Sequence, residues 1–79
     1  MVELARMDMR KLVGRNLKRL RLAKALTQED LAERSGFSQQ FLSGIERGRR
    51  NPTIVTLFEI AQALGVSHVD LVQPDNEPD

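Results

Sequence analysis

The chain has no cysteine in its 79 residues, which excludes a disulfide frame and a thiolate metal site. No apolar run approaches the roughly 18 residues needed to cross a bilayer. The opening stretch, MVELARMDMRK, lacks the continuous apolar core of a signal peptide, so a cytoplasmic protein is expected. Strand-like alternation, internal repeats and extended low-complexity segments are also missing. His68 is the single histidine; with no cysteine or second histidine to join it, a metal site is not expected. There is no Ser-His-Asp order in supporting context, no phosphate loop and no paired ligand motif, so neither an enzyme nor a cofactor is expected. The last absence is of one charge. No Lys or Arg stands after residue 50, where five acids give −5, whereas residues 1–50 hold all 12 bases against six acids, for +6. The net charge of +1 hides this split, which would orient the molecule toward a polyanion.

Hydrophobic content is 41%, ordinary for a globular chain, and the length suits one small domain. The spacing predicts five helices. In residues 9–24, Leu12, Val13, Leu17 and Leu20 make an apolar stripe. Arg10, Lys11, Arg15, Lys18, Arg19, Arg21 and Lys24 surround it, with no acid among them. Two further helices are predicted over residues 28–35 and 39–47, ended by Gly36 and Gly48. Thr53 can cap a fourth over 54–64, with Ile54, Leu57, Phe58, Ala61 and Leu64 as its apolar face and Gly65 as its stop. Ser67 can cap a short fifth over 68–72. Residues 1–8 read as a loose arm, and 73–79, QPDNEPD, as a disordered acidic tail.

The most informative stretch is Thr27 to Gly48, TQEDLAERSGFSQQFLSGIERG. Thr27 can cap its first helix, with Glu29 and Asp30 where the helix dipole favours carboxylates. Leu26, just before the cap, can staple onto Leu31. Leu31 and the small Ala32 face inward, and Gly36 suits a sharp turn. Ser38 can cap the second helix, whose Leu42 and Ile45 can pack back on the first. Its outward face then carries Gln39, Gln40 and Ser43, uncharged side chains of the kind that read base edges. The whole reads as a helix-turn-helix, which places its second helix in the DNA major groove.

This segment resembles the helix-turn-helix of the Cro and phage-repressor (XRE) family of DNA-binding regulators. The likeness rests on Thr27-Gln28, Leu31-Ala32, Gly36, Ser38-Gln39 and Ile45-Glu46-Arg47-Gly48. It continues through Asn51-Pro52-Thr53, Leu57 and Ala61 to Ser67, and spans about residues 10–72. Each motif alone is weak, but in this order and spacing they are specific. The resemblance implies a compact, all-α, five-helix lambda-repressor-like domain.

On that resemblance, Gln39 reads a base edge, with Gln40 beside it and Ser43 one turn on. A glutamine amide can bond adenine N6 and N7 together. The resemblance also implies phosphate contact at Gln28, where a helix N-terminus offers free N–H groups. Ser38, Arg47, Arg49, Arg50 and Asn51 complete the expected phosphate set. Arg21 and Glu46 match a pair that forms a structural salt bridge. Phe41 either touches sugar or a thymine methyl, or completes the core. Gly44 departs from the family's frequent side chain, so either DNA comes close there or readout is poorer. His68, Val69 and Val72 are expected to contribute to a homodimer interface.

The function expected is sequence-specific binding of double-stranded DNA by a homodimer on a palindromic operator, regulating transcription as a prophage repressor or a restriction–modification controller does. The alternative is an antitoxin of the same fold that binds a toxin and autoregulates its operon, although the apolar extension usual in such antitoxins is missing from the tail. A toxin or the polymerase are the possible protein partners. Neither a membrane nor a small-molecule ligand is expected.

Overall fold

The computed structural model describes residues 8–77. Among them are five helices and no strand: α1 Met9–Ala23, α2 Gln28–Ser35, α3 Gln39–Glu46, α4 Ile54–Leu64 and α5 His68–Val72. The fold is all-α as expected, and helix ends differ from the sequence reading by no more than one residue. The expected arm at 1–8 lies outside the described residues except for Asp8. That residue caps α1, its carboxylate accepting from Arg10 N at 3.1 Å and Lys11 N at 3.4 Å.

Each later helix starts on a hydroxyl cap. Thr27 Oγ1 accepts from Asp30 N at 3.0 Å, and Asp30 Oδ2 accepts in return from Thr27 N at 2.9 Å. This reciprocal box satisfies two donors that a helix start leaves open. The Thr27 backbone N–H, with its hydroxyl, holds the Asp30 carboxyl below the usual carboxylate range. Ser38 and Thr53 cap α3 and α4 through their hydroxyl oxygens alone, and Ser67 forms a second reciprocal box with Asp70 at the start of α5. Gly36, which closes α2, has φ of +82°, in the left-handed region that glycine enters freely.

The core is a cluster of aliphatic side chains from all five helices, with Leu31, Leu42, Ile45 and Ile60 wholly buried. Removing one, as in Leu31→Ala, would cost about 2–5 kcal/mol. Leu26 and Leu31 both join the cluster. α1 packs on α3 and α5, α2 on α3 and α4, and α4 on α5. The α1–α3 approach is so close that a Cβ on Gly14 would collide with the carbonyl oxygens of Ile45 and Glu46, 2.7 Å from the latter.

The apolar face of α4 needs correction. Ile60, Ala61 and Leu64 are buried and Leu57 is half-buried, but Ile54 is 82% exposed and Phe58 45%. α4 is apolar on more than the stripe that one neighbouring layer can cover.

The segment after α5 lies against α1. Asn16, fully buried on α1, donates through Nδ2 to Leu71 O and Gln73 O, both at 2.9 Å. Arg15 grips Asp75 with two hydrogen bonds, Nε to Oδ2 at 2.8 Å and Nη2 to Oδ1 at 3.0 Å. A composition rich in proline and acid cannot reveal this docking, because both partners lie on α1. Residues 78–79 lie outside the described residues.

Candidate nucleic-acid interface

α3 has two faces with different chemistry. Leu42 and Ile45 point into the core, while Gln39 and Gln40 are exposed and Ser43 is half-exposed. Ser38 spends its oxygen on Phe41 N at 3.0 Å, which leaves its hydroxyl hydrogen for an outside acceptor. The outward side of α3 forms one wall of a shallow open groove. Gln28, Gln39, Gln40, Ser43, Gly44, Arg47, Arg49 and Arg50 line it. The fold thus brings together the three expected base readers and most of the expected phosphate contacts. Asn51 is exposed just beyond them.

The position of α3 is fixed from behind by Glu46. Arg21 Nε donates to Glu46 Oε2 at 2.7 Å and Nη2 to Oε1 at 3.0 Å. The same guanidinium donates through Nη1 to Leu26 O at 2.7 Å. Hydrogen bonding to the Glu46 carboxylate raises the pKa of Arg21 further above its ordinary value, against the opposing cost of burial. The ion pair implied by the family likeness is therefore present and nearly dry.

Gln28 also joins this node, its Nε2 donating to Glu46 Oε1 at 3.2 Å. One amide hydrogen is thus engaged inside the protein. The other amide hydrogen, and the backbone N–H at the start of α2, can still donate to an outside acceptor.

Gly44 is not a bare spot on α3. The Arg50 side chain lies across it, and the Arg50 guanidinium carbon sits 5.7 Å from the centre of the Phe41 ring. Phe41 packs on the core cluster and against Phe37, ring centres 5.4 Å apart. Nothing in the sequence links Phe41, Gly44 and Arg50, because the contact depends on how the loop folds back over α3.

A second exposed feature lies on α4 and α5. Ile54, Val55 and Phe58 on α4 and Val69 and Val72 on α5 are exposed apolar side chains. His68 meets Phe58 edge-on, ring centres 5.9 Å apart. Periodicity along the sequence puts Ile54 and Phe58 on the core face and assigns Val55 no role, whereas Val69 and Val72 are expected at the surface. Among the described residues no helix is long and apolar enough to cross a membrane, and no cluster of His, Cys, Asp or Glu could hold a metal ion.

A polar helix face beside a cationic rim, held from behind by a buried ion pair, is the arrangement of a helix-turn-helix suited to DNA. The helix-turn-helix family model matches residues 17–71, and the chain belongs to that family. It is 70% identical over 71 residues to the HTH-type transcriptional regulator y4dJ of Sinorhizobium fredii, covering 90% of this chain and 92% of that one. Its structure is similar to that of the hypothetical transcription factor NHTF from Neisseria, with a TM-score of 0.80 and 32% identity over 84% of this chain and 76% of the other. It is also similar to the restriction–modification controller protein C.Esp1396I, solved as a tetramer with its natural 35 base-pair operator. There the TM-score is 0.74 and the identity 43%, over 80% and 83% of the two chains.

Proposed function

We propose that this chain binds an inverted-repeat operator as a homodimer, with α3 in the major groove. Gln39, Gln40 and Ser43 read base edges, and Gln28, Ser38, Arg47, Arg49 and Asn51 hold phosphates. The observation that carries this reading is the groove itself, where exposed amide side chains of α3 share one wall with Arg47 and Arg49. Amides supply directional hydrogen bonds to bases, and arginines supply sequence-independent attraction to the backbone. That C.Esp1396I was solved in complex with its natural operator supports operator DNA as the partner.

One α3 reads only a few base pairs, so two copies related by a two-fold axis are needed for a useful site. Half-sites then lie about 34 Å apart, one turn of DNA. The apolar patch of Ile54, Val55, Phe58, Val69 and Val72, with His68 at its seam, is the surface on which the copies meet. A patch of this kind on so small a domain is expected to be covered.

The test compares Gln39→Ala and Arg49→Ala on the preferred duplex and a scrambled one at fixed salt. Gln39→Ala should cost about 1–3 kcal/mol on the preferred duplex and almost nothing on the scrambled one. Arg49→Ala should weaken both alike and reduce the salt slope by about one. Equal loss on both duplexes for Gln39→Ala would remove it as a base reader.

A further inference from the structure

Arg50 does not reach from its loop straight into solvent. Its side chain runs back over α3 where Gly44 has no Cβ: an atom placed there would lie 2.8 Å from Arg50 Cγ and 3.1 Å from Nε. The guanidinium then ends over Phe41, one turn nearer the N-terminus of α3, with Cζ 5.7 Å from the ring centre. Phe41 is braced in turn by Phe37 and the core. Glycine inside a helix is unfavourable, and here its missing Cβ is what admits the arginine.

We propose that Arg50 is a base-reading residue, seated by Gly44 and Phe41 so that its guanidinium edge meets a guanine in the major groove. The proposal rests on α3 being the groove-entering helix, and it moves Arg50 out of the phosphate set in which its sequence position placed it. An aromatic seat engages the face of a guanidinium and leaves its in-plane donors free. Those donors form the fork that matches guanine O6 and N7. A phosphate anchor needs no such seat, and none is found beneath Arg49 among the described residues. The seat also carries the charge toward the end of α3 that bears Gln39 and Gln40, with which Arg50 shares the groove. Glutamine amides suit adenine, so Arg50 supplies the reader of guanine that α3 lacks.

The test begins by selecting a duplex from a random-sequence pool with the wild-type chain. Wild type, Arg50→Lys, Arg50→Ala, Gly44→Ala and the Gly44→Ala/Arg50→Ala double variant are then titrated at fixed salt. The probes are the selected duplex, its single-base-pair variants and a scrambled duplex. Arg50→Lys keeps the charge and loses the fork. It should weaken the selected duplex about 5- to 150-fold, through one G·C pair. The scrambled duplex should change by no more than about twofold. Gly44→Ala raises helix propensity, so it should fold. It should erase discrimination at the same G·C pair and add nothing on top of Arg50→Ala.

The proposal is overturned if Arg50→Lys binds every duplex as wild type does while Arg50→Ala weakens all of them equally, the signature of a phosphate anchor. It is also overturned if Gly44→Ala leaves discrimination unchanged. A pool that yields no enriched duplex defeats the DNA reading itself, a result distinct from either of these.

Discussion

Arg21 and Glu46 are joined by paired hydrogen bonds of 2.7 and 3.0 Å, with only 8% and 5% of their side-chain surfaces left in water. Breaking one half of such a pair strands a buried charge. Arg21→Ala is expected to cost about 3–5 kcal/mol, and the double variant with Glu46→Ala should recover part of the loss. Urea unfolding of the four members of the cycle measures the coupling. Strictly additive losses would mean that the two side chains do not stabilise one another.

Two glycines face opposite outcomes on conversion to alanine. At Gly14 the added methyl meets backbone carbonyls that cannot turn aside. Gly14→Ala should therefore destabilise by about 1–3 kcal/mol. At Gly44 it meets the flexible stem of Arg50, and the gain in helix propensity, up to about 1 kcal/mol, should leave stability unchanged or raised. Thermal unfolding of both variants decides this, and a Gly14→Ala variant as stable as wild type would deny the close crossing of α1 and α3.

The Arg15 guanidinium, hydrogen-bonded to Asp75, pulls that carboxyl from 3.8 down to about 2. A depressed carboxylate contributes stability above its unfolded pKa, and the contribution disappears as pH falls through the folded value. Docking of the tail on α1 should thus be complete at neutral pH and lost between about pH 4 and pH 2. NMR titration of the Asp75 carboxyl carbon gives the midpoint, which Arg15→Gln should return to the ordinary range. A wild-type midpoint near 4 would show the contact to be absent in solution.

Charge placed in the apolar patch should separate the copies. Val69→Asp is expected to shift sedimentation from dimer to monomer. Losing the second half-site should reduce affinity for a full inverted repeat by about 10²- to 10⁴-fold, while binding of an isolated half-site stays the same. An unaltered dimer would place the contact between copies elsewhere.

What the sequence revealed and what it hid divide by distance along the chain. Thr27, Ser38, Thr53 and Ser67 cap helices through bonds two or three residues away, so local chemistry sufficed to place all four starts. Arg21 and Glu46 are 25 residues apart, and only the family likeness paired them. Nothing local marks Gly14 as the site of a helix crossing, or Asn16 as the buried donor to a chain end 55 residues on. Periodicity put Ile54 and Phe58 inward because it counts apolar residues without knowing which neighbours exist to cover them. Arg50 was legible as a cation, but its direction depends on an absent side chain at Gly44 and a ring at Phe41. The site's composition was therefore readable, while its internal geometry required the fold.

The Glu46 carboxylate accepts from residues on α1 and α2 while standing on α3 itself. Three helices are thereby pinned at one point, and α3 has little freedom to rotate or slide against the rest. Its outward side chains take no part in that pinning: among the described residues, the side chains of Gln39, Gln40 and Ser43 are not among those bonded to Glu46. The molecule works like a type block, in which the shank is gripped by the frame and the letter can be recut. A lineage built on this frame can change which sequence it addresses by substituting a handful of outward residues, without re-solving the problem of folding each time.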